Sequence, residues 1–166
     1  MKFHPTHGSA IFLSTTKDSA TRNSSNFCNG LVFSDQPIRI NQRICLELDS
    51  ISLWSGGIRI GVTSVNPASL EVVNLPRFAY PDLANKDGYW VRVISESLTC
   101  TPACRLTVYL NSSGQLQLFI NGNHKGALLV SLPTNQKLWL MLDIYGNTNK
   151  AAFVNAGEFL FNSCFN

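Results

Sequence analysis

Residues 105–122 read Arg105-Leu106-Thr107-Val108-Tyr109-Leu110-Asn111-Ser112-Ser113-Gly114-Gln115-Leu116-Gln117-Leu118-Phe119-Ile120-Asn121-Gly122. Leu106, Val108 and Leu110 alternate with Arg105, Thr107 and Tyr109. Leu116, Leu118 and Ile120 then alternate with Gln115, Gln117 and Phe119. A period of two sends successive side chains to opposite faces of a strand. The four turn-forming residues Asn111-Ser112-Ser113-Gly114 join the runs at hairpin distance, and Asn121-Gly122 suits a turn that needs positive φ. The stretch predicts an antiparallel hairpin followed by a second turn.

The same alternation extends outward. Ile44, Leu46 and Leu48 alternate with Cys45, Glu47 and Asp49; Ile58, Ile60 and Val62 with Arg59 and Gly61; Leu138, Leu140, Leu142 and Ile144 with Trp139, Met141 and Asp143. Another strand is expected at about Lys150 to Val154, where an exposed edge would support pairing with a second copy. No segment carries the 3.6-residue period of a long helix. Short strands separated by Gly-, Asn- and Pro-rich turns indicate an all-β antiparallel sandwich, with an up-and-down barrel as the structural alternative. Ser64 to Asp87 is the longest irregular stretch. It mixes aromatic, basic and acidic residues as a structured functional loop does, and Asn66-Pro67-Ala68-Ser69-Leu70 is suited to one helical turn. Residues 1–157 read as one domain and 158–166 as a C-terminal tail.

The chain has 166 residues, 45% hydrophobic and 14% charged, with a net charge of +3. That charged fraction excludes a disordered or coiled-coil chain. No apolar run approaches the roughly 20 residues of a membrane-spanning helix. The 13 Lys and Arg are scattered, which argues against a nucleic-acid partner. The opening Met1-Lys2-Phe3-His4-Pro5 is unlike a signal peptide. The five cysteines form no CxxC pair, and Cys100-x-x-x-Cys104 is expected as two thiols. A cytoplasmic location follows as the expectation. The sequons at Asn23 and Asn111 then read as chance matches.

Six blocks, in order, resemble the Neuralized homology repeat domain: Phe3-His4-Pro5-Thr6-His7-Gly8; Phe27 to Ser34 with Pro37-Ile38-Arg39-Ile40; Trp54-Ser55-Gly56-Gly57-Ile58-Arg59-Ile60-Gly61-Val62-Thr63-Ser64; Leu75-Pro76 with Pro81-Asp82-Leu83; Gly88-Tyr89-Trp90; and Leu138-Trp139, Asp143 and Tyr145-Gly146. The resemblance covers about residues 3–154. It implies a β-sandwich related to the SPRY fold, of concanavalin-like architecture. It also implies a protein-interaction module of E3 ubiquitin ligases or their adaptors, which selects substrate while a RING or SOCS-box segment recruits the ubiquitin machinery. Family members bind Notch-ligand cytoplasmic tails and short peptides with an Asn-x-x-Asn core, which would place such a module in Notch signalling, with any membrane contact made indirectly through its partner. No Cys/His zinc pattern of a RING occurs in this sequence.

Catalytic constellations are absent from the pattern. There is no G-x-S-x-G elbow, His4 and His7 lie near the start, and His124 sits by the turn at Asn121-Gly122. The domain itself is therefore expected to be non-catalytic, with no cofactor. His4-x-x-His7 lacks the Cys or acid cluster that would complete a metal site. The candidate peptide-binding residues are Trp54, Arg59, Arg77, Tyr80, Asn85, Trp90, Tyr145, Asn147 and Asn149. Trp54 and Trp90 adjoin loops and serve equally as peptide anchors or as core. Arg59 either faces solvent or offers a fork of donors to a peptide. The loop residues carry the amide-matching groups that recognition of peptide backbone needs. Trp139 is expected on the second face of its sheet. Asp143 is expected to point outward, capping the Tyr145 turn or pairing with Arg59 or Arg39. A lectin-like sugar-binding sandwich is the competing function, and a jelly-roll hydrolase a third that lacks its paired carboxylates. The partner expected is a protein or peptide, with the oligomeric state left open.

Overall fold

The structure, a computed structural model, describes residues 1–50 and 52–156. Eleven strands follow in chain order: β1 (Ile11–Leu13), β2 (Ser19–Arg22), β3 (Leu31–Pro37), β4 (Ile44–Asp49), β5 (Arg59–Thr63), β6 (Tyr89–Val93), β7 (Cys104–Leu110), β8 (Leu116–Ile120), β9 (Asn123–Leu129), β10 (Trp139–Asp143) and β11 (Lys150–Val154). The single α-helical turn among the described residues, α1, spans Glu96–Thr99. A seven-stranded sheet of order β1-β2-β11-β4-β7-β8-β9 packs on a four-stranded sheet of order β3-β10-β5-β6, and every pairing is antiparallel. The all-β sandwich expected from the two-residue period is the observed fold.

The hairpin of residues 105–122 is built as its sequence dictates. Leu110 pairs with Leu116 across the Asn111–Gly114 turn, and the Asn111 side chain accepts from the Gln115 N–H at 2.9 Å. Asn121 (φ 49°) and Gly122 (φ 81°) form a two-residue turn into β9, the geometry an Asn-Gly pair supplies. His124 therefore belongs to an edge strand, its ring 4.7 Å from that of Phe119.

Between the sheets, Leu46, Leu48, Leu106, Val108 and Leu116 meet Val32, Ile60, Val62, Leu140 and Leu142. The small sheet is apolar on its outer face as well, where Leu31, Phe33, Val91 and Met141 form a second cluster with Ala79 and Leu83. Those last two residues come from the segment between β5 and β6. This segment holds two 3-10 turns, Pro67–Ser69 and Val72–Asn74, and folds back as a cover. Asn66 caps the first turn, accepting from Ala68 N–H at 3.0 Å. Trp139 lies on this covered outer face and is buried.

Two expectations are corrected here. The strand Lys150–Val154 is no edge: it sits between β2 and β4, and both its sides are used. Asp143 shares the outer face of the small sheet but is buried, because the long loop covers it. The reading of residues 158–166 as a tail falls outside the described residues. Cys28, Cys45, Cys100 and Cys104 are free thiols.

Burial of both faces has a measurable consequence. Met141→Ala on the outer face should lower the unfolding free energy by about 2–5 kcal/mol, as Leu142→Ala should on the inner face. Urea denaturation checks it. A loss near ~0.5 kcal/mol for Met141→Ala would mean that the outer face is not a core.

Candidate functional site

Four connections converge at one end of the sandwich, and each contributes an aromatic ring. Phe27 comes from the β2–β3 connection, Trp54 from β4–β5, Phe78 from the long β5–β6 loop and Tyr145 from β10–β11. Phe27 lies at the centre, with ring centroids 5.4 Å from Trp54, 6.0 Å from Tyr145 and 6.2 Å from Phe78; Phe78 and Tyr145 are 6.1 Å apart. Such tilted and edge contacts are the favoured aromatic geometry. The Trp54 indole N–H donates to the Ser24 carbonyl at 3.0 Å, which fixes the ring while leaving it 40% exposed. Leu53 beside it is fully exposed. Ser24, Ser52, Leu53, Trp54 and Asn149 line an open hollow of about 450 Å³.

Two glycines allow the loops to meet this closely. A Cβ on Gly56 (φ 108°) would stand 2.6 Å from the Tyr145 ring, and one on Gly146 (φ 59°) would collide with the Gly56 carbonyl. The loops are stitched by backbone bonds, from Asn147 N–H to Gly56 C=O at 3.0 Å and from Ser52 N–H to Asn147 C=O at 3.2 Å.

Two buried charges hold the platform. Arg22 is fully buried; its Nη2 donates to Gly146 C=O at 2.6 Å and Thr148 C=O at 3.0 Å, and its Nη1 to Asn26 C=O. It thereby ties the β2–β3 connection to β10–β11. Burial draws the Arg22 guanidinium down from its ordinary value, and Asp143 opposes that pull. Asp143 Oδ2 accepts from the Ala79 N–H at 2.8 Å and so pins the long loop next to Phe78. Burial pushes the Asp143 carboxyl up to about 6, against the Ala79 N–H and the charges of Arg59 and Arg22; Asp82 adds to the upward push. Its Oδ1 has no hydrogen-bond partner among the described residues.

The structure gathers some of the candidate residues and separates others. Trp54 and Tyr145 belong to the ring cluster. Arg59, the cross-strand neighbour of Asp143, lays its guanidinium 3.2 Å from the centre of the Tyr145 ring. Its Nε and Nη1 are buried without hydrogen-bond partners among the described residues. Arg77 is exposed, with its guanidinium 5.5 Å from the Phe78 ring and its Nη2 3.5 Å from Cys28 Sγ. Tyr80 stands 41% exposed two residues past Phe78. Asn147 joins the stitching above. Asn149 lines the Trp54 hollow, and its backbone bonds to Asp49 C=O and Arg22 N–H. Asn85 is exposed farther along the loop. Trp90 pairs with Val62 and packs against the inter-sheet core, so of its two readings the structure gives the core. Arg39 is not among the charges acting on Asp143. His4 Nδ1 accepts from the Thr6 N–H at 3.0 Å and His7 Nδ1 lies 2.9 Å from Gly8 C=O, both local contacts. Sequence reading missed Phe27, Phe78 and Arg22. Phe27 and Phe78 were visible only as aromatics in loops, and Arg22 closes a short strand with no apolar period to mark it.

The family profile of Neuralized matches residues 3–155. The chain belongs to the Neuralized family. It is 40% identical over 162 residues to "Protein neuralized" of Drosophila virilis, covering 97% of this chain and 21% of that protein. It is 30% identical over 149 residues to human "E3 ubiquitin-protein ligase NEURL3", covering 89% of this chain and 56% of that protein. The chain thus spans about a fifth to just over half of these relatives. The crystal structure of the Drosophila melanogaster neuralized-nhr1 domain superposes with a TM-score of 0.88 at 38% identity, over 93% of this chain and 98% of that one. The SPRY domain of human HERC1, at 12% identity, shares the fold with a TM-score of 0.63, covering 93% of this chain and 98% of that one. The SPRY-like sandwich of the Neuralized repeat is therefore the architecture here.

The raised Asp143 value sets a pH dependence for this Neuralized domain. A carboxyl held above its unfolded value contributes stability that is fully present below about 3.8 and lost as pH rises through about 6. Asp143→Asn should flatten that segment. The stability difference between variant and wild type should shift in favour of the variant by about 3 kcal/mol between pH 3 and pH 7. Urea titrations at the two pH values measure it, and parallel curves for the two proteins would contradict the assignment.

Proposed function

We propose that this chain is the substrate-recruiting domain of a Neuralized-type ubiquitin ligase or adaptor, and that it docks an extended peptide segment of its target at the loop end of the sandwich. The observation that carries this is the four-ring cluster, one ring from each connection, with Trp54, Leu53 and Tyr80 left exposed on a base locked by Arg22 and Asp143. Large aromatics fixed at loop edges are the anchors expected of a peptide site, and a locked base spares the ordering cost on binding. The arrangement offers exposed rings, the Arg77 cation and amide groups, which suit contact with a polypeptide. Ubiquitin transfer itself would be carried out elsewhere, with this domain raising the local concentration of target lysines.

The finer reading follows the family. The target is a cytoplasmic segment such as a Notch-ligand tail, or a protein with an Asn-x-x-Asn core, and the domain works on the cytoplasmic side, meeting membrane only through its partner. The four free thiols among the described residues support such a compartment.

Titration of the chain with fluorescent peptides of these two kinds tests the proposal. Trp54→Ala should weaken binding by about 30-fold or more, the loss of a central anchor of ~2 kcal/mol. Arg77→Ala and Tyr80→Ala should weaken it by lesser amounts. Asn85→Ala should bind as wild type. Unfolding curves for each variant separate affinity from stability. Equal affinity of wild type and Trp54→Ala would remove this site, and no affinity for either peptide would remove the finer reading of the target.

A further inference from the structure

The β4–β5 connection holds Leu53 and Trp54 out from the surface. Ser52 fixes its backbone on one side of Trp54: the Ser52 N–H donates to Asn147 C=O, and the Ser52 hydroxyl accepts from the Trp54 N–H at 3.2 Å. Gly56 fixes it on the other side. At φ 108° the Gly56 C=O accepts from the Asn147 N–H, while the Gly56 N–H donates to Glu96 Oε2. One residue thus ties the Trp54 connection to β10–β11 and to α1 at once.

Glu96 opens α1, 40 residues along the chain from Gly56. The support it stands on is firm. Ile94, just ahead of α1, belongs to the inter-sheet core and donates its N–H to Ile58 C=O at 2.9 Å, and Thr99 at the end of α1 is buried. The close seating of α1 on the connection does not depend on the carboxylate alone. A Cβ on Gly57 would stand 1.7 Å from the Ile94 carbonyl oxygen and 3.0 Å from the Glu96 nitrogen. The carboxylate then adds a hydrogen bond to a charged acceptor, the stronger kind.

We propose that Glu96 is a positioning residue for partner docking: through Gly56 it holds the connection in the one conformation that presents Trp54, and it acts on affinity through Trp54 alone. The inference rests on the loop end being a peptide-docking face. Removing the carboxylate leaves every ring of the platform in the chain but lowers the fraction of molecules whose Trp54 is set for binding, and apparent affinity falls with that fraction. The loss should be about two- to ten-fold, the cost of ordering one large side chain on binding.

Two measurements on the full chain test it, using Glu96→Ala and Glu96→Gln, the second of which keeps an acceptor within reach of Gly56. In the free protein, hydrogen exchange at the Gly56 amide should quicken about ten-fold or more in Glu96→Ala and be largely restored in Glu96→Gln. Equal exchange in wild type and Glu96→Ala would overturn the inference. For binding, peptides are selected on wild type from a displayed library of 12-residue sequences and titrated into wild type, both Glu96 variants, Trp54→Ala and the double variant Trp54→Ala with Glu96→Ala. Glu96→Ala should weaken binding about two- to ten-fold, Glu96→Gln should recover it, and the double variant should bind no more weakly than Trp54→Ala, since the two residues act in series. An equal loss on both backgrounds would mean that Glu96 meets the partner directly, and overturns the inference alone, as does binding that needs Trp54 and is indifferent to Glu96. No capture by wild type, or capture indifferent to Trp54, removes the docking-face reading and this inference together.

Discussion

An antiparallel sheet commonly leaves one face to water. The β3-β10-β5-β6 sheet cannot, because Leu31, Phe33, Val91 and Met141 make its outer face as apolar as its inner one. Some other part of the chain must cover it, and the β5–β6 loop does so with Ala79 and Leu83. A loop pressed on a sheet must satisfy its backbone groups. The Ala79 N–H finds Asp143 Oδ2 at the loop end of the buried face. That bond fixes the neighbouring residues: Phe78 turns into the ring cluster, and Arg77 and Tyr80 are held on either side. The placement of the aromatic end is thus a consequence of how the small sheet is roofed.

The buried charges are costly, and their geometry shows what they achieve. A buried guanidinium is costly unless hydrogen bonds offset its desolvation. Arg22 Nη1 and Nη2 donate to three carbonyls in two different connections, while its Nε has no partner among the described residues. A hydrophobic residue of similar volume would fill the space without specifying how those connections lie. Arg59 contributes differently, since its cation rests on the Tyr145 ring and its charge acts on Asp143. Together Arg22, Arg59 and Asp143 set the β10–β11 connection, where Gly146 permits the close approach to Gly56. The outcome is a platform of rigid aromatic side chains, whose few torsions leave little entropy to lose on binding.

Much of the fold was legible in the sequence, because strands whose apolar residues recur at every second position advertise themselves. β4, β5, β7, β8 and β10 alternate and were read as strands, and β11 was expected where it lies. β3 and β6 were not, because Leu31-Val32-Phe33 and Tyr89-Trp90-Val91 are continuous apolar runs that carry no two-residue period. β1 and β2 were too short to show a period, and β9 is an exposed edge of mixed residues. At the site, the order of motif blocks marked Trp54, Arg59 and Tyr145. Spacing along the chain could not show that Phe27, Phe78 and Arg22 join them. Those contacts link residues of different connections up to 126 positions apart, and only the sheet order brings them together. Trp90 was ambiguous because its inward direction depends on pairing with Val62.

The sheet edges bear on the proposal that recognition falls to the loops. A sheet can also bind a peptide by adding it as a further strand, which needs a long, flat, unpaired edge. β1 offers three residues. β3 is covered by the N-terminal segment, where Phe3 bridges Ser34, the His4 N–H donates to Phe33 C=O and the Asp35 N–H donates to Lys2 C=O. β9 pairs with β8 through two register shifts, and Gly126 within it adopts φ 95°, so its outer side is kinked and carries Lys125. β6 gives five residues, with Tyr89 at one end tied to the roofing loop through the Tyr89 N–H and Lys86 C=O. Each edge is short, covered or bent, which protects against strand addition and aggregation alike. An extended partner of the kind proposed would therefore gain more from the aromatic end, where side-chain contact does not depend on completing a backbone ladder.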